Sequence, residues 1–171
     1  MTAWRPSFGA PSVPAVCCGS EEMESSATRR VLIVAHRTAA SPPLIDAVRV
    51  RALEGPFEPV LLVPASPHGF HRAVDPEDQG RAEAEAVIEI ALPLLEEAAG
   101  RAVEARIGDH DPLAAVEDAL NSARFDEVIV STLPRRVSRW LHLDLPRKVA
   151  GLGVPVTTVT ARGRASAGSL G

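Results

Sequence analysis

The chain has 171 residues, of which 46% are hydrophobic and 23% charged, and its formal net charge is −4. These are the values of a globular protein with one domain, large enough to fold without disulfides or metals. The net negative charge and the low aromatic content of 4% argue against nucleic acid as a partner, because phosphate backbones attract basic surfaces and single strands stack on aromatic side chains.

The two cysteines, Cys17 and Cys18, are adjacent and have no other cysteine to pair with. They exclude a disulfide framework and a cysteine-based zinc site, and they favour a reducing compartment. No run approaches the roughly 18 apolar residues of a membrane span, and the N-terminal stretch lacks the apolar core of a signal peptide. We therefore expect a cytoplasmic protein without a membrane partner.

Residues 1–29 differ in composition from the rest of the chain. They combine prolines, serines and glycines with an acidic cluster and show no period of 2 or 3.6, so we predict a disordered arm. Met23 lies inside this arm, and a translation start there is an open alternative to Met1. At the other end, the small and polar residues 162–171 predict a flexible tail, which leaves residues 30–161 as the domain.

The domain begins with a continuous apolar run, Val31–Ala35, which is typical of a strand buried on both faces. Ser41 is predicted to cap the helix that follows, with Pro42 in its first turn and Gly55 at its end. A second apolar run, Val60–Val63, predicts the second strand.

A loop of about 17 residues, 64–80, follows the second strand and is long for a connection to a helix. It contains His68 and His71 together with Asp75 and Asp78. Two histidines and two carboxylates suit a metal ion, but a loop fixes no geometry. We favour ordinary polar loop residues.

The longest helical pattern runs from about Arg81 to Ala99 and is followed by a strand, Ala102–Ile107, whose apolar and polar residues alternate as in an edge strand. Gly108 and Asp109 then lead into a short helix. The fourth strand is predicted at Val128–Val130.

A last helix, 145–150, and a last strand, Val154–Thr160, complete the pattern. Strands that alternate with helices predict right-handed crossovers and a parallel sheet covered on both faces. The predicted fold is a three-layer α/β sandwich with five strands in the order 3-2-1-4-5. Ligands of such sheets bind at the carboxyl ends of the strands, where the strand order reverses, so the loops of interest follow Ala35, Val63, Ile107 and Val130.

This order of elements resembles the universal stress protein family, within the adenine-nucleotide α-hydrolase-like superfamily, over about residues 30–160. The local matches are Gly108-Asp109 after the third strand, and the stretch 131–158 with its Arg147-Lys148-Val149 and Gly153-Val154-Pro155-Val156. The resemblance implies a Rossmann-like sheet, nucleotide binding, a role in stress responses and a dimer formed through the fifth strand.

Nucleotide-binding members of that family carry Gly-x-x-Gly, nine residues, then Gly-Ser or Gly-Thr after the fourth strand. The corresponding positions here read Ser131, Pro134 and, with one residue deleted, Leu143-Asp144. Glycine lets backbone N–H groups approach a phosphate, and proline removes one such donor. We therefore expect weak ATP binding or none, and the cofactor stays unknown.

Three arginines after the fourth strand suggest a substitute for the glycine loop. Guanidinium groups grip anions by forked, charged hydrogen bonds; the alternative is a solvated basic patch. At the end of the first strand, the family's acidic residue is replaced by His36-Arg37-Thr38. The candidate ligand-binding set is His36, Arg37, Thr38, Gly108, Asp109, Ser131, Thr132, Arg135, Arg136, Arg139 and Trp140.

Two members of this set have strong structural alternatives. Trp140 can stack on a base or on Arg139, but tryptophans more often cap a core or anchor a subunit interface. Ser131 and Thr132 offer hydroxyl donors, yet serine and threonine are also common turn formers after a strand.

A catalytic reading starts from His36, Asp109, His110 and His142, which all lie at or beyond predicted strand ends. Such groups can exchange protons with a ligand. However, the sequence has no nucleophile elbow, no paired-carboxylate pattern and no Walker loop. We therefore favour a module that binds a small anionic ligand or nucleotide; the alternatives are a ligand-free dimeric interaction protein and an enzyme of the α-hydrolase-like class.

The fifth strand, Val154–Thr160, is rich in β-branched residues and poor in charge, and it is predicted at an edge of the sheet. An open edge invites another chain to pair with it. The simplest closed solution is a two-fold homodimer in which this strand meets its own copy. The alternative is that the tail, 162–171, covers it.

Overall fold

The structure is a computed structural model, and it describes residues 28–65, 76–134 and 144–161. In these residues, five parallel strands form one sheet in the order β3-β2-β1-β4-β5, which confirms the predicted fold and strand order. None of the helices in these ranges is long and apolar enough to cross a membrane. The elements are β1 (Arg29–Val34), α1 (Pro42–Leu53), β2 (Phe57–Pro64), α2 (Pro76–Ala99), β3 (Glu104–Gly108), α3 (Pro112–Ser122), β4 (Glu127–Thr132), α4 (Leu145–Ala150) and β5 (Val156–Thr160).

The central strand is β1, which is paired on both sides. Its Leu32 lies opposite Val60 of β2 and opposite Val128 of β4, so the predicted pairing of the first and fourth strands is confirmed. The chain moves outward from β1 to β3 and then crosses back to β4. This reversal places the topological switch point of the sheet between β1 and β4.

The sheet separates two apolar clusters, because successive side chains of a strand point to opposite faces. Ile33 and Ile129 pack with α1 and α2 on one face. Leu32 and Val130 pack with α3 and α4 on the other face. The apolar runs of β1 and β4 are continuous because alternate residues contribute to the two clusters on opposite faces of the sheet.

Three element boundaries differ from the predictions. The helix α2 begins at Pro76 rather than Arg81, because proline suits a first helical turn. The strand β4 continues to Thr132, so Ser131 and Thr132 are strand residues and not loop residues. The strand β5 begins at Val156, directly after Pro155.

The prediction that Ser41 caps α1 through its side chain is wrong. Ser41 is the N-cap residue, but its hydroxyl makes no capping hydrogen bond. The N–H groups that such a cap would bind are absent or used: Pro43 has none, and the N–H of Leu44 donates to the Ser41 carbonyl at 3.0 Å.

Arg51 lies on the buried side of α1 together with Leu44 and Val48, and it is only 6% exposed. Its Nε lies 3.0 Å from the Glu127 carboxylate and 3.9 Å from that of Glu54. Its guanidinium also stacks over Phe57, 5.0 Å from the ring centroid. Glu127 in turn accepts a hydrogen bond from the Thr157 hydroxyl at 3.1 Å, so this one arginine ties α1 to β2, β4 and β5.

At the amino end of the sheet, Arg30 and Asp126 lock β1 to the start of β4. The Arg30 N–H donates to the Asp126 carboxylate at 2.7 Å, and the Asp126 N–H donates to the Arg30 carbonyl at 2.9 Å. The Arg30 guanidinium stacks on Phe125 and pairs with Glu58 and Glu104. These contacts fix the register of the two central strands before their ladder begins.

We expect Arg51→Met to lower the free energy of unfolding by about 2 kcal/mol, because Glu127 would keep its charge in a half-buried place without its nearest cation. Urea denaturation of the two proteins measures the difference. The matched variant Arg51→Met/Glu127→Gln should recover most of the loss, since the amide needs no counter-charge. Equal losses in the single and double variants would contradict this assignment.

Candidate functional site

A gap opens at the carboxyl edge of the sheet between β1 and β4. Their ladder ends with the pair Val34 and Val130. Beyond it, the chain after β1 folds into a tight turn over residues 36–41, whereas β4 continues to Thr132 beside Thr160 of β5. The turn after β1 and the end of β4 therefore lie side by side at the switch point, where sheets of this kind have their ligand crevice.

The crevice is bridged by one side chain. The Thr38 hydroxyl donates to the Ser131 carbonyl at 3.0 Å, and both residues are buried. Beyond the last main-chain hydrogen bonds of the ladder, a side-chain hydrogen bond therefore connects the two chain segments. The turn after β1 is held against the end of β4, which places His36 inside the protein and leaves Arg37 exposed to solvent.

The hydroxyl groups of Ser131 and Thr132 are buried in residues that are each 1% exposed, and among the described residues neither finds a hydrogen-bond partner. Because Ile129 and Val130 belong to different faces of the sheet, alternation directs Ser131 toward α1 and Thr132 toward α4. Buried polar groups are normally hydrogen-bonded. A ligand or a water molecule that formed hydrogen bonds with these two hydroxyl groups would therefore be bound favourably.

The end of β3 carries a second group of predicted site residues with well-defined local roles. Asp109 accepts a hydrogen bond from the Asp111 N–H at 2.8 Å and lies 2.9 Å from Nδ1 of His110. Asp111 caps α3 by accepting from the Leu113 N–H at 3.1 Å. Both carboxylates thus act as turn and cap residues, as their position beside a proline indicates.

Gly108 stands where β3 and α3 approach each other closely. A Cβ atom on Gly108 would lie 2.6 Å from the Cβ of Ala115 and 3.0 Å from a methyl group of Leu62. The absence of a side chain at this position is therefore required by packing, independently of any ligand.

The described members of the predicted acid–base group, His36, Asp109 and His110, follow two different strands. Since β2 lies between β1 and β3, the ends of those two strands are roughly 10 Å apart. His36 follows the first and His110 the second. In the described ranges, no group of three or more histidine, cysteine or acidic side chains is placed to hold a metal ion.

Several candidates lie outside the described residues: Arg135, Arg136, Arg139, Trp140 and His142, and also His68, His71 and Asp75. The structure describes both ends of the first of these segments, at Pro134 after β4 and at Asp144 before α4. Asp144 is exposed and adopts a left-handed backbone with φ of 51°. Of the described candidates, only the set His36, Arg37, Thr38, Ser131 and Thr132 shares the crevice.

Sequence reasoning did not find that the start of α1, at this edge of the sheet, offers no free N–H group to an anion. The first N–H groups of α1 are missing at Pro42 and Pro43, and those of Leu44 and Ile45 donate to the Ser41 carbonyl. The signal was present in the Pro-Pro pair, which we read only as a helix start.

Solved structures of universal stress proteins share this architecture. A universal stress protein in complex with cAMP matches with a TM-score of 0.57 and 17% identity, over 80% of this chain and 100% of that one. A family protein from Burkholderia pseudomallei gives 0.55 and 17%, over 78% and 96% of the two chains. The protein from Archaeoglobus fulgidus gives 0.54 and 14%, over 77% and 93%.

The chain has the universal stress protein fold. The sequence matches no protein-family model and no curated protein sequence, so the likeness lies in the architecture. In this fold the turn after β1 and the end of β4 lie together. The residues at those two places are specific to this sequence.

We expect Gly108→Ala to destabilise the domain by about 2 kcal/mol, because the added methyl group overlaps Ala115 and Leu62 in a packed layer. Thermal and urea unfolding measure the loss. The rescuing variant Gly108→Ala/Ala115→Gly removes the closest overlap and should regain part of it. A Gly108→Ala protein as stable as the wild type would show that α3 can move away from β3 freely.

Proposed function

We propose that this chain is a binding module that holds a small anionic ligand of nucleotide type in the crevice between β1 and β4, through side chains and without catalysing a reaction. The observation that carries the proposal is the pair of buried, unpartnered hydroxyls of Ser131 and Thr132 at the switch point of the sheet. A cytoplasmic location and a role in stress responses are proposed from Cys17, Cys18 and the resemblance.

The place of the crevice supports a ligand of this kind. In open parallel sheets, ligands bind outside the carboxyl ends of the strands, where the strand order reverses. The universal stress protein that matches this fold at a TM-score of 0.57 was solved with cAMP, a nucleotide. In this chain Thr38 joins the turn after β1 to the end of β4 by its hydrogen bond to Ser131, so a ligand at the switch point would meet two walls that are already held together.

Recognition of an anionic ligand by side chains is supported by the residues at the crevice. The glycine positions of the family pattern are replaced, so a backbone cradle for phosphates is not expected. Arg37 is exposed at the rim, on the turn that Thr38 holds in place. We propose that Arg135, Arg136 and Arg139, on the segment between β4 and α4, supply the remaining guanidinium groups.

A binding function is favoured over a catalytic one because the described acid–base candidates at the end of β3 form local structural contacts. Asp109 accepts a backbone N–H within its own turn and lies beside His110, at the end of an edge strand. The sequence supplies no activated nucleophile near them. A general acid or base must be free to reach the atom on which it acts, whereas the Asp109 carboxylate already accepts a hydrogen bond within its own turn.

We expect the purified protein to bind AMP, and the triple variant Arg135→Ala/Arg136→Ala/Arg139→Ala to bind it at least about tenfold more weakly, because charged hydrogen bonds to an anion contribute more than about 1.4 kcal/mol together. Isothermal calorimetry measures both, and mass spectrometry of the unfolded protein identifies any ligand that copurifies.

The matched control is Arg29→Ala/Arg49→Ala/Arg124→Ala, which removes the same charge from exposed arginines outside the crevice and should change the affinity less than about twofold. Equal weakening by both triple variants would point to net charge instead of a site. A protein that binds no nucleotide and carries no copurified ligand would overturn the proposed function.

A second candidate function, a homodimeric interaction protein, is favoured by the free edge of the sheet. The strand β5 pairs with β4, and no other described strand lies on its far side. Thr157, Thr158 and Thr160 are exposed. The Pro155 carbonyl and the Ala161 N–H both bond to β4, so by alternation the backbone groups of Thr158 face outward and are available to a second copy.

We expect a dimer at micromolar concentration, and we expect Thr158→Pro to dissociate it by at least about tenfold, since the variant removes one outward-facing N–H and leaves the β4 ladder in place. Light scattering with analytical ultracentrifugation measures the masses. Thr158→Val, which keeps the N–H, is the matched control and should remain dimeric. A monomeric wild type, or a dimer indifferent to the proline, would exclude assembly through β5.

A further inference from the structure

We infer that the outer face of the α1 and α2 layer is a docking surface for a basic amphipathic helix of a partner protein. This face lies on the solvent side of the two helices, whose inner side packs on the sheet, so the inference does not depend on the ligand crevice. Two features carry it: exposed apolar side chains at helical spacing, and carboxylates before and after each apolar pair.

Large apolar side chains of this layer are exposed to solvent at two positions of each helix. On α1, Val50 is 57% and Leu53 is 88% exposed. On α2, Ile90 is 64% and Leu94 is 37% exposed. Residues three or four positions apart lie on the same side of a helix, so each helix presents an apolar pair. Elsewhere in the described ranges, Leu152 is the one large apolar side chain that is exposed. Apolar surface concentrated in this way marks a binding surface for another molecule.

The two apolar pairs belong to one surface, because α1 and α2 lie side by side. A guanidinium nitrogen of Arg49 on α1 lies 3.9 Å from the Glu97 carboxylate on α2. Leu53 lies about one turn beyond Arg49, and Leu94 lies about one turn before Glu97. The ion pair therefore connects the two helices on their solvent side, between one apolar pair and the other.

Carboxylates lie before and after each apolar pair. On α1 they are Asp46 and Glu54, four positions before and four after the first residue of the pair. On α2 they are Glu83 and Glu97, seven positions before and seven after the first residue of the pair. Spacings of four and seven keep these side chains on the same side of their helix as the apolar residues. Each pair is thus bounded by negative charge along its helix.

The arginines of this layer do not neutralise that charge. Arg49 is the one described cation between the apolar pairs, and it already lies 3.4 Å from the Asp46 carboxylate and 3.9 Å from that of Glu97. Arg51 is buried under α1, and Arg81 pairs with a glutamate one turn later on α2. The described part of this face is therefore apolar at its centre and negative around it.

The occupant that fits such a face is a helix with an apolar stripe and lysine or arginine on both sides of it. Amphipathic helices bind by laying an apolar stripe into a groove, and complementary charge around the stripe selects the partner. From Glu83 to Glu97 the helix α2 rises by about 21 Å, so a partner helix of about 14 residues spans the face. A second copy of this face, or an anionic lipid surface, would bring like charges together.

Fluorescence anisotropy with a labelled peptide of about 14 residues tests the inference, with leucines at spacings of three and four and lysines elsewhere. The reference peptide has the same composition, with its leucines spread around the helix. We expect the amphipathic peptide to bind the full-length protein at least about tenfold more tightly than the reference. Leu53→Ser/Ile90→Ser should weaken its binding at least about tenfold, whereas the matched control Leu152→Ser should change it less than about twofold.

The carboxylates are tested by a second pair of variants. Glu83→Gln/Glu97→Gln removes two charges from the face and should weaken binding of the amphipathic peptide at least about threefold. Glu85→Gln/Glu89→Gln removes the same charge from the flank of α2 on which Glu96 contacts the start of β3, and should weaken it less than about twofold. All substituted side chains are at least partly exposed, so the melting temperatures should stay close to that of the wild type.

Equal affinity for the two peptides, or no binding of either, would overturn the inference, because the apolar stripe would then not be recognised. Equal weakening by Leu53→Ser/Ile90→Ser and Leu152→Ser would place the peptide elsewhere and overturn it as well. Light scattering that shows a wild-type dimer dissociated by Leu53→Ser/Ile90→Ser would make the face a contact between copies of this chain. Cosedimentation of the wild type, but not of this variant, with phosphatidylcholine vesicles would make it a lipid-binding face. Either result would replace the proposed partner helix.

Discussion

The pairing of β1 with β4 is the constraint on which the rest of this molecule depends. It brings together strands that are separated in the chain by three helices and two other strands, and it puts β1 in the middle of the sheet. Arg30 and Asp126 fix the register at the amino end, and Thr38 and Ser131 join the strands beyond the last ladder pair. The main-chain ladder between β1 and β4 thus runs from one side-chain link to the other.

Much of this architecture could be predicted from the sequence, because burial leaves a periodic trace. The apolar runs around Ile33 and Ile129 predicted two central strands, and the alternation of Ala102–Ile107 predicted an edge. Right-handed crossovers then allowed few strand orders. The reversal of strand order added the expected location of a ligand crevice, and the resemblance to universal stress proteins is confirmed by structural neighbours that share the fold.

The individual contacts could not be predicted, because their partners are far apart in the chain and each residue type has a common local use. Thr38 and Ser131 are 93 positions apart, and Arg51 and Glu127 are 76 positions apart. The apolar run of the fourth strand stops at Val130, so the sequence predicts no strand at Ser131, whereas pairing with β5 extends the strand through it. Ser41 was expected to cap a helix whose prolines remove the donors that a cap needs.

The division of the apolar interior by the sheet has a consequence for how the protein tolerates change. Side chains of the α1 and α2 layer touch one face, those of the α3 and α4 layer touch the other, and the backbone of the sheet stands between them. Energetic coupling between substitutions falls off when the residues share no partners. Substitutions in opposite layers should therefore combine additively, so each layer can be repacked as a separate module while the crevice above both keeps its shape.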